Sequence, residues 1–137
     1  MLRRETKGRA RALQILYAWE LQGRPPLRLA ATGLARLTGP EPLTLDYAEA
    51  LATAVSGDVD ALDRATQAAA DNWRINRLGA IDRNILRLGV YELREGIVPP
   101  KVSIDEAVRL AQWFGGTKSP GFVNGVLDRV AHQLGRL

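Results

Sequence analysis

Apolar residues recur at helical spacing almost from the start of the chain. Leu13, Leu16, Tyr17 and Leu21 mark one face of a helix between Arg3 and Gln22, and Gly23-Arg24-Pro25-Pro26 stops the pattern. A short helix over 27–37 is broken by Thr38-Gly39-Pro40-Glu41-Pro42, where the prolines cannot continue it. Tyr47, Leu51, Ala54 and Val55 mark another helix from Asp46. Beyond Ser56-Gly57-Asp58, Val59, Leu62, Ala65, Thr66 and Ala69 mark either a further helix or the kinked continuation of the same one.

The stretch from Trp73 to Leu78 is irregular. Ile81, Ile85, Leu88 and Leu93 then form a clear apolar face on a segment that also carries Arg77, Arg83, Arg87 and Arg94. Ser103-Ile104-Asp105-Glu106 has the spacing of a capping box, so the next helix is expected to start near Ile104. It ends at Gly115-Gly116, and Ser119-Pro120 supplies the N-cap and first position of a last helix whose apolar face is Phe122, Val123, Val126, Leu127, Val130, Ala131 and Leu134.

No segment alternates with period two, so the expected class is all-α: one compact domain, 1–137, of about six or seven helices in two small bundles, 1–72 and 73–137, divided near Trp73. At 137 residues, 46% of them hydrophobic, the chain can bury such a core without staples. It contains no cysteine, which excludes disulfides and thiolate metal sites and fits a reducing compartment. Charges interrupt every apolar run, and Met1-Leu2-Arg3-Arg4-Glu5 leads into no apolar segment. Neither a membrane span nor a signal peptide is therefore read, and the expected location is the cytoplasm, with no membrane partner.

Little in the chain points to catalysis. His132 is the single histidine and has no cysteine for company, so no metal site and no cofactor are expected. The neighbouring acids Asp58 with Asp60 and Asp105 with Glu106 do not converge on one substrate from helical positions one or two apart. Gly115-Gly116-Thr117-Lys118-Ser119 lacks the first glycine of a phosphate-cradling loop.

Charge shifts attention to polyanions. Nineteen Lys and Arg face fifteen acids, a net +4. On the first helix Arg4, Lys7, Arg11 and Gln14 share one side, extended off the helix start by Arg3. Cations near a helix N-terminus oppose the helix dipole, so stability does not ask for them there; phosphate contact and a plain solvated face are both open readings. Lys118 and Ser119 lie at another helix start, where free amides attract anions, and Phe122 one turn on either packs in the core or stacks on a base.

Four blocks carry a resemblance: Ala12-Leu13-Gln14-Ile15-Leu16-Tyr17 after a basic start, Asp82-Arg83-Asn84-Ile85-Leu86-Arg87-Leu88-Gly89-Val90-Tyr91-Glu92-Leu93, Val102-Ser103-Ile104-Asp105-Glu106-Ala107-Val108, and Phe122-Val123-Asn124-Gly125-Val126-Leu127-Asp128. In this order, across the chain, they resemble the NusB family of bacterial transcription antitermination factors. The resemblance implies an all-α, non-catalytic protein that binds the single-stranded boxA element of nascent ribosomal RNA. It also implies a partner, the NusE-type small-subunit ribosomal protein, and action within an RNA polymerase antitermination complex. By the same resemblance Arg3, Arg4, Lys7, Arg11, Gln14, Lys118, Ser119 and Phe122 are RNA-binding candidates, while Tyr17 and Asp82 match positions that contact either RNA or the partner.

The chain also departs from that pattern. Glu5, Thr6 and Gly8 dilute the basic start, Gly8 loosening it, and Gln112 stands where relatives often carry Lys, which points to weaker or redistributed RNA affinity. A monomer and a homodimer that hides its RNA surface both remain open, as does a helical RNA-binding or protein-adaptor module without boxA specificity. Asn124-Gly125 conflicts with helix preference, since Gly costs about 1 kcal/mol relative to Ala in a helix interior. The expected resolution is a scaffold, with Gly125 admitting a close helix and Asn124 bonded to a neighbouring segment.

Overall fold

A computed structural model describes residues 3–38 and 42–137. Among the described residues there are seven α-helices, one short 3-10 turn and no strand. The helices are α1 (Arg4–Leu21), α2 (Leu27–Thr38), α3 (Pro42–Ser56), α4 (Val59–Ala69), α5 (Ala80–Glu95), α6 (Pro100–Phe114) and α7 (Ser119–Gln133), with the 3-10 turn at Ile75–Arg77. None is long and apolar enough to cross a membrane. The break expected at Gly39-Pro40-Glu41 lies outside the described residues. The helices group into two units, Met1–Gly57 and Asp58–Leu137.

In the first unit α1 packs on α3 and α2. The buried stripe is Ala12, Leu13, Ile15, Leu16 and Trp19, rotated from the face expected, for Tyr17 is partly exposed and Leu21 is 63% exposed. Ala12 takes part because small residues let α1 approach Ala48 and Ala52 of α3, all three fully buried. Gly8 does not loosen the helix. A Cβ there would collide with Cδ1 of Tyr47 and stand 3.0 Å from its Cε1, so the bare backbone is the seat for that ring. The helix ends where the sequence indicates: Gly23 at φ 81° takes the left-handed cap position, with the Arg24 N–H donating to the Trp19 carbonyl at 2.9 Å and the Gly23 N–H to that of Glu20 at 3.2 Å. Helix α3 begins at Pro42, four residues before Asp46.

In the second unit α4, α5, α6 and α7 enclose a core that includes Leu62, Ile85, Leu86, Leu93, Leu110, Val123 and Leu127. The boundary therefore falls at Gly57/Asp58 and not near Trp73. Helix α4 turns Val59, Leu62, Thr66 and Ala69 onto α5 and α7, which makes it a member of this bundle. Its last carbonyls are held from α7: Arg129 donates to Ala69 O at 3.2 Å and Gln133 to Ala68 O at 3.4 Å.

Two arginines of α5 have structural duties. Arg87 is 2% exposed and donates to both carboxylate oxygens of Asp63 on α4 at 2.8 Å, and to Asn84 Oδ1 at 3.0 Å. Arg94 pairs with Asp58 and Glu95; partial burial opposes its charge, but the two carboxylates outweigh that and raise its pKa.

Helix α6 starts three residues before the expected capping box. Pro100 is its first residue, where a missing N–H costs nothing and φ is already helical, so Ser103 falls inside the first turn. Its hydroxyl is buried with no hydrogen-bond partner among the described residues. Helix α7 starts at Ser119, with Lys118 as N-cap residue and no side-chain cap, one position from expectation.

Candidate nucleic-acid interface

The loop from α6 to α7 is built around one hydroxyl. Ser119 Oγ accepts the Gly116 N–H at 3.0 Å and donates to Asp82 Oδ2, in the first turn of α5, at 3.1 Å; its own N–H donates to Gly116 O at 3.0 Å. Gly115 makes the loop tight enough for this, since a Cβ there would stand 2.6 Å from the Ser119 Cβ. Ser119 is consequently buried, and its hydroxyl is occupied within the protein. The second carboxylate oxygen of Asp82, Oδ1, is buried with no hydrogen-bond partner among the described residues. A carboxylate in the first turn of α5 is favoured by the dipole of that helix.

Around this latch lies a groove of about 430 Å³, lined by Trp73, Leu78, Asp82, Gly116, Thr117, Lys118, Ser119 and Phe122. Four of the residues singled out in the sequence, Asp82, Lys118, Ser119 and Phe122, thus meet on one surface of the second unit. Lys118 is exposed and makes no ion pair among the described residues. Phe122 is half-buried, and its ring meets Trp73 edge to face with centroids 5.2 Å apart at 67°. Phe122 packs on a neighbour while lining an open groove, and so is not a fully buried core residue.

Trp73 was not expected in this place. The signal was an aromatic residue in a polar stretch with no apolar period, which therefore has no core face to join.

The remaining candidates belong to the first unit. Arg3, Arg4 and Lys7 are exposed and carry no ion pair among the described residues. Arg11 and Gln14 are half-buried and bonded to each other, Nη1 to Oε1 at 2.9 Å, so part of the Arg11 guanidinium is already engaged. Tyr17 sits on the same helix, partly exposed.

Asn124 and Gly125 depart from the expected scaffold. Both are exposed, and a Cβ at Gly125 would meet nothing within 4 Å, so no helix approaches there. His132 is exposed with Nδ1 2.8 Å from the Asp128 carbonyl oxygen, a surface position near the end of α7. Among the described residues no cluster of His, Cys, Asp and Glu is able to hold a metal ion.

A profile of the NusB family matches residues 6–132. The chain is 45% identical over 131 residues to the transcription antitermination protein NusB of Sorangium cellulosum, spanning 95% of this chain and 93% of that one. Among solved structures it is similar to NusB of T. maritima, with TM-score 0.82 and 30% identity over 96% of this chain and 92% of that one. It is also similar to a chain in a structure of antitermination factors NusB and NusE with dsRNA, with TM-score 0.83 and 28% identity over 97% of this chain and 99% of that one.

Proposed function

Because the chain belongs to the NusB family, we propose that it is an antitermination factor that binds the single-stranded boxA element of nascent ribosomal RNA together with a NusE-type ribosomal protein, and is needed for efficient ribosomal RNA transcription. It acts in the cytoplasm, within the complex carried by transcribing RNA polymerase, and performs no catalysis. The observation that carries this reading is the grouping of Lys118 and Phe122 about the groove held by the Ser119–Asp82 latch. A cation supplies phosphate attraction there and an aromatic ring supplies a face for a splayed base, the combination by which single strands are bound.

Exposed Arg3, Arg4 and Lys7 contribute in the manner of a steering surface. With no ion pair among the described residues, they are available to replace counterions on a phosphate backbone. Tyr17 and Asp82 are assigned to the junction with RNA or partner. The similar solved structure is of antitermination factors NusB and NusE in complex with dsRNA, which supports RNA as the ligand class.

Titration of labelled boxA RNA and a scrambled control at fixed salt, with and without the ribosomal-protein partner, tests this. The expected result is preference for boxA, with tighter binding when the partner is present. Equal affinity for the two RNAs would overturn boxA recognition, and equal affinity with and without the partner would overturn the joint complex.

A further inference from the structure

Trp73 stands in the connection between α4 and α5 with 57% of its surface open to solvent. The connection is nevertheless firmly held. The Gln67 side chain donates to the Trp73 carbonyl at 2.6 Å and accepts the Ile75 N–H at 2.9 Å, while the Trp73 N–H donates to Ala70 O at 2.7 Å. One side chain thus fixes the backbone on both sides of Arg74.

Arg74 and Arg77, one and four positions on, are exposed and make no ion pair among the described residues. Asp71, three positions before Arg74, is already paired with Arg129 of α7. Trp73 also borders a second concavity, of about 280 Å³, whose wall on α7 is formed by Phe122, Gly125, Val126 and Arg129. Gly125 is the odd member, a helix-disfavouring residue with open space where its Cβ would be. Among the described residues nothing comes within 4 Å of that space.

On the reading that this chain binds RNA, we infer that the Trp73–Arg77 connection is a further single-strand contact: one base stacks on Trp73 in the concavity beside Gly125, and Arg74 and Arg77 take neighbouring phosphates. An exposed ring on a fixed backbone, flanked by unpaired cations, matches what a flexible polyanion with planar bases requires. The bare helix surface at Gly125 admits a flat ring where a side chain would project. A protein segment would find apolar surface here as well, but the two uncompensated arginines favour phosphate.

Anisotropy titrations of a labelled single-stranded boxA RNA with the full chain, over a range of salt, test the contact. Trp73→Ala is expected to weaken binding about 5- to 100-fold, with Trp73→Phe retaining most of it. Arg74→Gln and Arg77→Gln are each expected to reduce the slope of log affinity against log salt by roughly 0.7. Gly125→Leu is expected to weaken RNA binding while the unfolding temperature stays level or rises.

Wild-type affinity in Trp73→Ala, or a wild-type slope in the double arginine variant, would overturn the inference. So would loss of the ribosomal-protein partner with RNA affinity unchanged, which would assign the connection to protein. The arginine variants alter exposed side chains only, so they decide the matter even where Trp73→Ala disturbs folding. Absence of RNA binding by the wild-type chain would overturn the underlying reading instead; lost affinity in Arg4→Gln with none lost in Trp73→Ala would overturn this contact alone.

Discussion

Ser119 donates its hydroxyl proton to Asp82 across 37 positions of sequence, and this bond at 3.1 Å joins the first turn of α7 to the first turn of α5. The same oxygen accepts the Gly116 N–H, so one atom serves two elements. Ser119→Ala strips both at once and leaves Asp82 without its hydroxyl donor. A loss of about 1–3 kcal/mol is expected in chemical denaturation, together with weaker RNA binding although Ser119 itself is buried. Unchanged stability would show that the latch contributes nothing.

The Arg87–Asp63 pair is asymmetric, with the guanidinium buried and the carboxylate partly open. Asp63→Ala therefore leaves a cation inside the second bundle and is expected to cost about 3–5 kcal/mol. The double variant Arg87→Met with Asp63→Leu removes the charge along with its partner and should recover most of that loss in urea unfolding.

Two glycines predict opposite signs for one substitution. Gly125→Ala adds a methyl to open space and gains helix preference, so stability should rise by about 0.5–1 kcal/mol. At Gly8 the same preference is opposed by the Tyr47 ring, and overpacking of about 1–3 kcal/mol exceeds it. Thermal unfolding of Gly8→Ala should show a net loss, relieved in part by Tyr47→Leu.

Along α1 the cations are not equivalent. Arg4→Gln and Lys7→Gln should each lower the salt slope of RNA binding by roughly 0.7, because both side chains are exposed and make no ion pair among the described residues. Arg11→Gln should lower it less, its guanidinium being already bonded to Gln14. Equal slopes for all three variants would contradict this ranking.

The helices were readable because Leu62, Ile85, Val123 and Leu127 repeat at helical spacing and do lie in the core. Boundaries were less so. Ser103 and Glu106 form a capping pattern, but Pro100 had already begun the helix, and nothing local says which signal prevails. Asp63 and Arg87, 24 positions apart, show no sign of each other in the sequence, and neither do Gly8 and Tyr47. The candidate site was legible as residue types at Lys118 and Phe122. The contribution of Trp73 depends on where α4 leaves the chain, which periodicity does not state. Asn124-Gly125 was legible as a conflict but not in its resolution, because whether a glycine meets a neighbour or solvent is decided by tertiary packing.

The reciprocal bonds between Gly116 and Ser119 shape the loop beside Lys118 before any ligand arrives. The entropy of ordering that segment is thus spent during folding and not during association. On the proposed function, a loop so ordered leaves little to arrange when RNA arrives, so capture would be governed by encounter and steering, and the residence of the complex by what the groove holds afterwards.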